Sequence, residues 1–139
     1  MKNIYEIFEE FEKAPTKQDK INILRRNGNY ALKSVLKGSF DPNVTFSIDK
    51  VPYYKPSDAP PGLGYTSIHQ ELGRVYLFEA NNPRVAPTLT DKRKEQLLIQ
   101  ILEALEKKEA EVFMNMILKK QKVKGLNADI VREAFPDLI

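Results

Sequence analysis

The chain has no cysteine and a single histidine among its 139 residues. The first absence excludes a disulfide framework, a thiolate nucleophile and a zinc–thiolate centre. With His69 alone, a multi-histidine metal site is excluded too, and only carboxylate-rich alternatives remain. A long apolar run is also missing: no stretch approaches the roughly 20 residues a helix needs to cross a bilayer. The opening MKNIYEIFEEFEK is acidic and amphipathic, neither a secretory signal nor an Arg-rich transit peptide, so a cytoplasmic protein without membrane contact is expected. Excess charge of one sign is modest. The net charge is only +3, so affinity for an anionic polymer depends on where the cations sit.

What is present is an ordinary globular composition, 42% hydrophobic and 29% charged, at a length suited to one domain spanning residues 1–139. Helical periodicity dominates the first forty residues. Ile4, Ile7, Phe8 and Phe11 line one face of a first helix that ends before Pro15. Thr16, with Asp19 three residues on, caps a second helix that buries Ile21, Ile23 and Leu24. That helix is expected to stop at Asn27-Gly28 through a left-handed glycine. Asn29 caps a third helix carrying Ala31, Leu32, Val35 and Leu36, with Gly38 expected to close it.

The middle third changes character. Pro42, Pro52, Pro56, Pro60 and Pro61 interrupt it, Val44, Phe46 and Ile48 alternate as in a short extended segment, and 55–62 reads as a surface loop. A helix resumes over Ser67–Ala80. Thr90 caps the next, with Leu97, Leu98, Ile101, Leu102 and Leu105 on one stripe. After a break at Lys107-Lys108, Ala110, Phe113, Met114, Ile117 and Leu118 form another apolar face, expected to run until Gly125. Asn127 caps a last helix, Ala128 to Phe135, stopped by Pro136. The fold class is all-α: a compact bundle of six to seven helices with a proline-rich irregular loop in the middle.

Enzymatic motifs are scarce. There is no GxxxxGK[ST] and no GxGxxG; Gly62-Leu63-Gly64 is too short and sits in the proline-rich loop. Glu6, Glu9, Glu10 and Glu12 read as the solvent face of the first helix rather than as a paired-carboxylate centre. His69 reads as structural or solvent-exposed. No enzyme, cofactor or metal is expected.

The basic clusters carry more information. Lys119, Lys120, Lys122 and Lys124 have no acid between them and lie at a helix end, where the backbone dipole by itself favours cations. Asn127 begins the next helix, whose N–H groups together with these lysines also suit a phosphate strand. Lys17, Lys20, Arg25 and Arg26 form a second group, with Lys33 and Lys37 following. A third, Lys92-Arg93-Lys94, sits in a first turn, where the dipole disfavours cations. Aromatic residues are not interleaved with these bases, which favours duplex backbone over single-strand stacking.

Ile7-Phe8, Thr16-Lys17-Gln18-Asp19-Lys20-Ile21-Asn22-Ile23-Leu24, Leu32-Lys33-Ser34-Val35-Leu36 and Phe40-Asp41-Pro42 through Phe46-Ser47-Ile48 resemble, in order and spacing, the N-terminal DNA-binding domain of phage-type ATP-dependent DNA ligases. So do Glu109 through Lys120, Gly125-Leu126-Asn127, and the close Val131-Arg132-Glu133-Ala134-Phe135-Pro136-Asp137-Leu138-Ile139. The proline-rich middle departs from that pattern. Asp137 stands where the ligases usually have glycine, and Lys122-Val123-Lys124-Gly125 replaces their Cys-Gly or Arg-Gly turn. The resemblance implies a helical domain that grips duplex or nicked DNA through backbone and sugar contacts without selecting sequence. It also implies phage origin and residence in the host cytoplasm. The ligase chemistry belongs to a separate domain with a Lys-x-Asp-Gly motif, which this chain lacks. Expected DNA contacts are therefore Lys17, Lys20, Arg25, Arg26, Lys119, Lys120, Lys122, Lys124, Gly125 and Asn127, in an accessory factor for replication, repair or transcription. The alternative is a module that kept this fold but docks on a polymerase, sliding clamp or virion component.

Overall fold

In the computed structural model, which describes residues 2–60 and 63–139, seven α-helices and one 3-10 helix pack around a single core. Pro61 and Gly62, which the sequence places in the middle loop, lie outside the described residues.

The first three helices are α1 (Ile4–Lys13), α2 (Lys17–Arg26) and α3 (Tyr30–Phe40). Their starts are fixed locally. Thr16 Oγ1 accepts from Asp19 N (3.1 Å) and Asn29 Oδ1 from Leu32 N (2.9 Å), each satisfying a first-turn donor that lacks a helical partner. The apolar faces read from periodicity are the faces that are buried, with Phe11, Leu24, Leu32, Val35 and Leu36 wholly enclosed.

Two glycines act differently from expectation. Gly28 has no left-handed φ; a Cβ there would stand 2.9 Å from the Phe135 ring, so its absence makes room for that ring. Gly38 does not close α3, which runs on to Phe40, because the helix passes close over Met116 and a Cβ at Gly38 would meet its Sδ at 2.7 Å.

The middle of the chain is irregular, as its prolines require. Phe46 and Glu79 form one isolated antiparallel bridge, tied by Ser47 N to Phe78 O and Ala80 N to Thr45 O, both 2.8 Å. The helix expected over Ser67–Ala80 is a single α-turn, α4 (Ile68–Glu71), followed by a 3-10 helix, Leu72–Phe78. That tighter winding places Phe78 in the core edge-on to Phe113, with ring centroids 6.5 Å apart.

Helix α5 (Asp91–Ala104) starts at Thr90, whose side chain accepts from Arg93 N (3.1 Å). The break before the next helix falls at Leu105-Glu106, not at Lys107-Lys108. Glu106 caps α6 (Lys107–Ile117) by accepting from Lys108 N and Glu109 N, which makes the two lysines the first turn. Nor does α6 run to Gly125. It stops at Ile117, where Lys119 takes a left-handed φ of 54° and Lys120 N returns to Asn115 O at 2.9 Å. Gly125 (φ 85°) turns the chain into α7 (Ala128–Ala134), capped by Asn127. Helix α6 packs on α1, α3, α4 and α5, while α2 is held between α1 and α7. Among the described residues no helix is long and apolar enough to cross a membrane.

Candidate nucleic-acid interface

The ten residues expected to touch DNA separate into three kinds of environment. The first turns inward. Lys119 is half-buried, and its ammonium donates to the carbonyls of Gly38 (2.8 Å), Asp41 (2.9 Å) and Val44 (2.6 Å). An ammonium has three donors, and all three are used. The carbonyls belong to the end of α3 and the loop after it, where helical acceptors are left over and a cation is favoured. Burial pushes the Lys119 pKa down, and neighbouring Asp41 opposes that. Asp41 is held below the usual carboxylate range first by Asn43 N–H (2.9 Å), then by Lys37 and Lys119. Lys119 is therefore a structural clamp and leaves the DNA-contact set.

Arg25 is similar in kind. Its Nη2 donates to Glu133 O (2.8 Å) and its Nε to Ala134 O (3.4 Å), closing the C-terminus of α7. Asn127 spends its side-chain oxygen on Ile130 N (3.0 Å), and α7 has only seven residues, so the phosphate-accepting helix start expected there is not available.

The second kind is paired with acids. Arg26 meets Glu10 at 3.1 Å, and Lys2 lies against the same carboxylate. Together they lower the Glu10 pKa, Lys2 contributing most. Arg26 follows Lys17 by nine residues; at about 100° per residue that is two and a half turns, so the two project from opposite sides of α2. Lys17 meets Glu133 at 2.9 Å, both side chains being about half exposed or more.

The third kind comes together. Lys20 crosses from α2 to the end of α1, donating to Phe11 O (2.8 Å) and lying over the Phe11 ring at 4.9 Å. Its outer methylene and ammonium stand 3.6–3.7 Å from the point where Gly125 would carry a Cβ. Lys124 N donates to Glu12 Oε2 (2.9 Å) at the same end of α1, and Lys122 lines the groove that Glu12 also lines. Residues a hundred positions apart thus meet: Lys20 from α2 and Gly125 from the α6–α7 turn, with the Lys124 backbone tied to the same end of α1. Lys120, Lys122 and Lys124 are exposed, and their ammonium groups have no acidic partner among the described residues. Glu12 and Glu133 offset part of the charge.

The Lys92-Arg93-Lys94 group also divides. Lys94 is buried with its ammonium 3.3 Å from Ser47 Oγ, Arg93 reaches Gln96, and Lys92 is exposed. His69 is exposed. Acids of the first helix are tie points: Glu9 to Lys108 (3.2 Å), Glu10 to Arg26, Glu12 to the 124 amide. Besides Asp41, three glutamates that the sequence does not single out are buried: Glu71, Glu106 and Glu109. Burial first, then the Glu106 charge, pushes the Glu109 pKa up. Only the position of Glu106 at a helix start hinted at this. Among the described residues no group of three or more His, Cys, Asp or Glu side chains is placed to hold a metal ion.

No curated protein matches the chain. A family model described as "Family of unknown function (DUF6433)" matches residues 7–124, from the first helix to the lysine turn that meets α2, and the chain belongs to that family.

Proposed function

We propose that the protein is a non-catalytic accessory factor that binds duplex DNA by its phosphate backbone, without reading sequence. The observation that carries this reading is the seating of Lys20 against Gly125, which brings the start of α2 and the turn bearing Lys122 and Lys124 together at one end of α1. Phosphate binding needs cations on a surface rather than a high net charge, and +3 is enough when the outward cations are grouped. The Lys17–Glu133 pair is no obstacle, because an exposed pair is worth about 0–1 kcal/mol and a phosphate oxygen can take the place of the carboxylate. The resemblance to ligase DNA-binding domains supports duplex or nicked DNA as the form bound.

With Lys17, Lys122 and Lys124 each neutralising one phosphate, log K falls with log salt at a slope of about −2.7. A labelled nicked duplex titrated at several salt concentrations measures it. Lys122→Glu with Lys124→Glu should abolish binding at 100 mM salt, and Arg26→Glu should leave it unchanged. No binding by the unaltered protein at low salt, or equal losses in both variants, would sink the reading.

A second reading, a docking module that no longer uses DNA, is favoured by the acids standing against Lys17 and Arg26, and by the exposed aromatic side chains of the middle loop.

A further inference from the structure

Between the end of α6 and Gly125, exposure alternates residue by residue. Lys119, Gln121 and Val123 are half-buried, whereas Lys120, Lys122 and Lys124 are exposed. From Lys120 to Val123 the chain is free of helix, strand and turn. A period of two is that of an extended backbone, whose side chains point to opposite sides in turn.

The inward residues hold the segment in place. Lys119 reaches the carbonyls of Gly38, Asp41 and Val44, and Gln121 Nε2 donates to Ser39 Oγ (3.1 Å) and Val112 O (3.3 Å). Val123 packs on the core. The main chain is fastened at both ends, Lys120 N to Asn115 O and Lys124 N to Glu12 Oε2, each at 2.9 Å. The outward lysines therefore stand on a backbone fixed before any ligand arrives, and little ordering cost remains for binding.

None of the three outward ammonium groups has an acidic partner among the described residues. Of the acids in the groove beside Lys122, Glu9 is held by Lys108 and Glu12 by the Lys124 amide, leaving Glu111 to offset part of the charge. Side chains two apart on an extended chain repeat at about 6.5–7 Å. The six-bond sugar–phosphate repeat sets neighbouring phosphates of one strand a comparable distance apart, so three such lysines are in register with three phosphates in a row.

An extended acidic peptide repeats its carboxylates at a similar interval, and here the backbone decides. Such a peptide gains its hold by pairing along the edge where Lys120, Lys122 and Lys124 carry their N–H groups. Two of those three N–H groups are already spent within the protein. A phosphodiester strand needs only the ammonium groups.

We infer that residues 120–124 form a comb that follows one strand of DNA, with Lys120, Lys122 and Lys124 on three consecutive phosphates. The inference rests on the DNA reading above and adds to it a further contact, Lys120, and a linear register.

With Lys17 and all three comb lysines in contact, the salt slope on duplex is about −3.6 rather than −2.7. Lys120→Gln should return it to about −2.7, and Lys92→Gln, at an exposed lysine of α5, should leave it unchanged; both should melt with the unaltered protein. Two duplexes of equal charge test the register. In one, every second linkage of both strands is a neutral methylphosphonate; in the other, the neutral linkages are gathered at one end. The first denies the comb three phosphates in a row and should bind about tenfold more weakly at about 100 mM salt. Equal affinity for the two duplexes, a Lys120→Gln slope equal to that of the unaltered protein, or an equal loss at Lys92 would overturn the comb while leaving backbone binding in place. Oligoglutamate that displaces the duplex as well as unlabelled DNA of equal charge would assign the segment to an acidic protein and overturn it too. Absence of binding to any duplex at low salt would end both the comb and the DNA reading.

Discussion

Lys119 and Lys124 stand in one turn and are used in opposite ways. The first is folded under the chain, its ammonium shared by three carbonyls; the second projects from a turn with only its backbone N–H tied down. The same division separates Arg25 and Arg26, one closing α7 and the other held by a surface carboxylate. A basic run in sequence is therefore not a basic surface. Helix ends leave carbonyls over, and a nearby lysine or arginine satisfies them before any partner arrives.

The largest effect should come from the inward member of the pair. Lys119→Met strands three carbonyls, and urea unfolding should show a loss of about 2–4 kcal/mol. Lys119→Gly should lose roughly 1 kcal/mol less, because glycine relieves the left-handed backbone while removing the same ammonium. Equal losses would mean the backbone there carries no strain. If instead Lys119→Met were harmless, the contrast between the two lysines would collapse.

Next in size is Gly64→Ala. The added methyl meets backbone atoms of Glu106, Ala104 and Leu105, which cannot swing aside, so a loss of about 1–3 kcal/mol is expected by thermal melting. Gly38→Ala meets the flexible end of Met116 and should cost less, about 1 kcal/mol. Then come the outward lysines. Lys122→Glu and Lys124→Glu should change unfolding free energy by no more than about 0.5 kcal/mol while removing DNA affinity, the reverse of the Lys119 pattern.

A pH-dependent effect concerns the buried acids. The Glu109 pKa is raised in the folded protein, so the native state binds more protons than the unfolded chain between the ordinary carboxylate pKa and the raised one. Stability is then highest below that window and falls as pH rises through it. Glu109→Gln should flatten this dependence and raise neutral-pH stability by up to about 1 kcal/mol, read from melting temperature against pH. Asp41 works with the opposite sign: its lowered pKa contributes stability above the ordinary carboxylate range that is lost as pH falls through the folded value.

Much of the fold was legible from short-range chemistry. Thr16, Asn29, Thr90 and Asn127 cap the helices they precede, and the periodic apolar residues of α1, α2 and α3 are the buried ones. These depend on neighbours within four residues, so a sequence contains them. Gly28 and Gly38, expected as a left-handed cap and a helix end, follow long-range packing instead. Glycine near a helix end suggests a left-handed cap, but Gly28 and Gly38 answer to Phe135 and Met116, residues distant in the chain. The buried acids escaped notice for the same reason: Glu109 is enclosed by α4 and the α6 corner, which no local pattern announces.

The candidate site was half legible. Residue types marked the cations, and their number followed from composition. Which of them face outward was settled by what each side chain can reach once the helices are packed. Lys20 and Gly125 are strangers in sequence, and only α2 lying between α1 and α7 brings them within touching distance. By itself the sequence determined an all-helical chain of six to seven segments, most of their starts, and the absence of thiol chemistry. Tertiary structure decided the direction of every charge, because a buried carbonyl and a distant phosphate compete for the same ammonium and the nearer, preorganised acceptor wins.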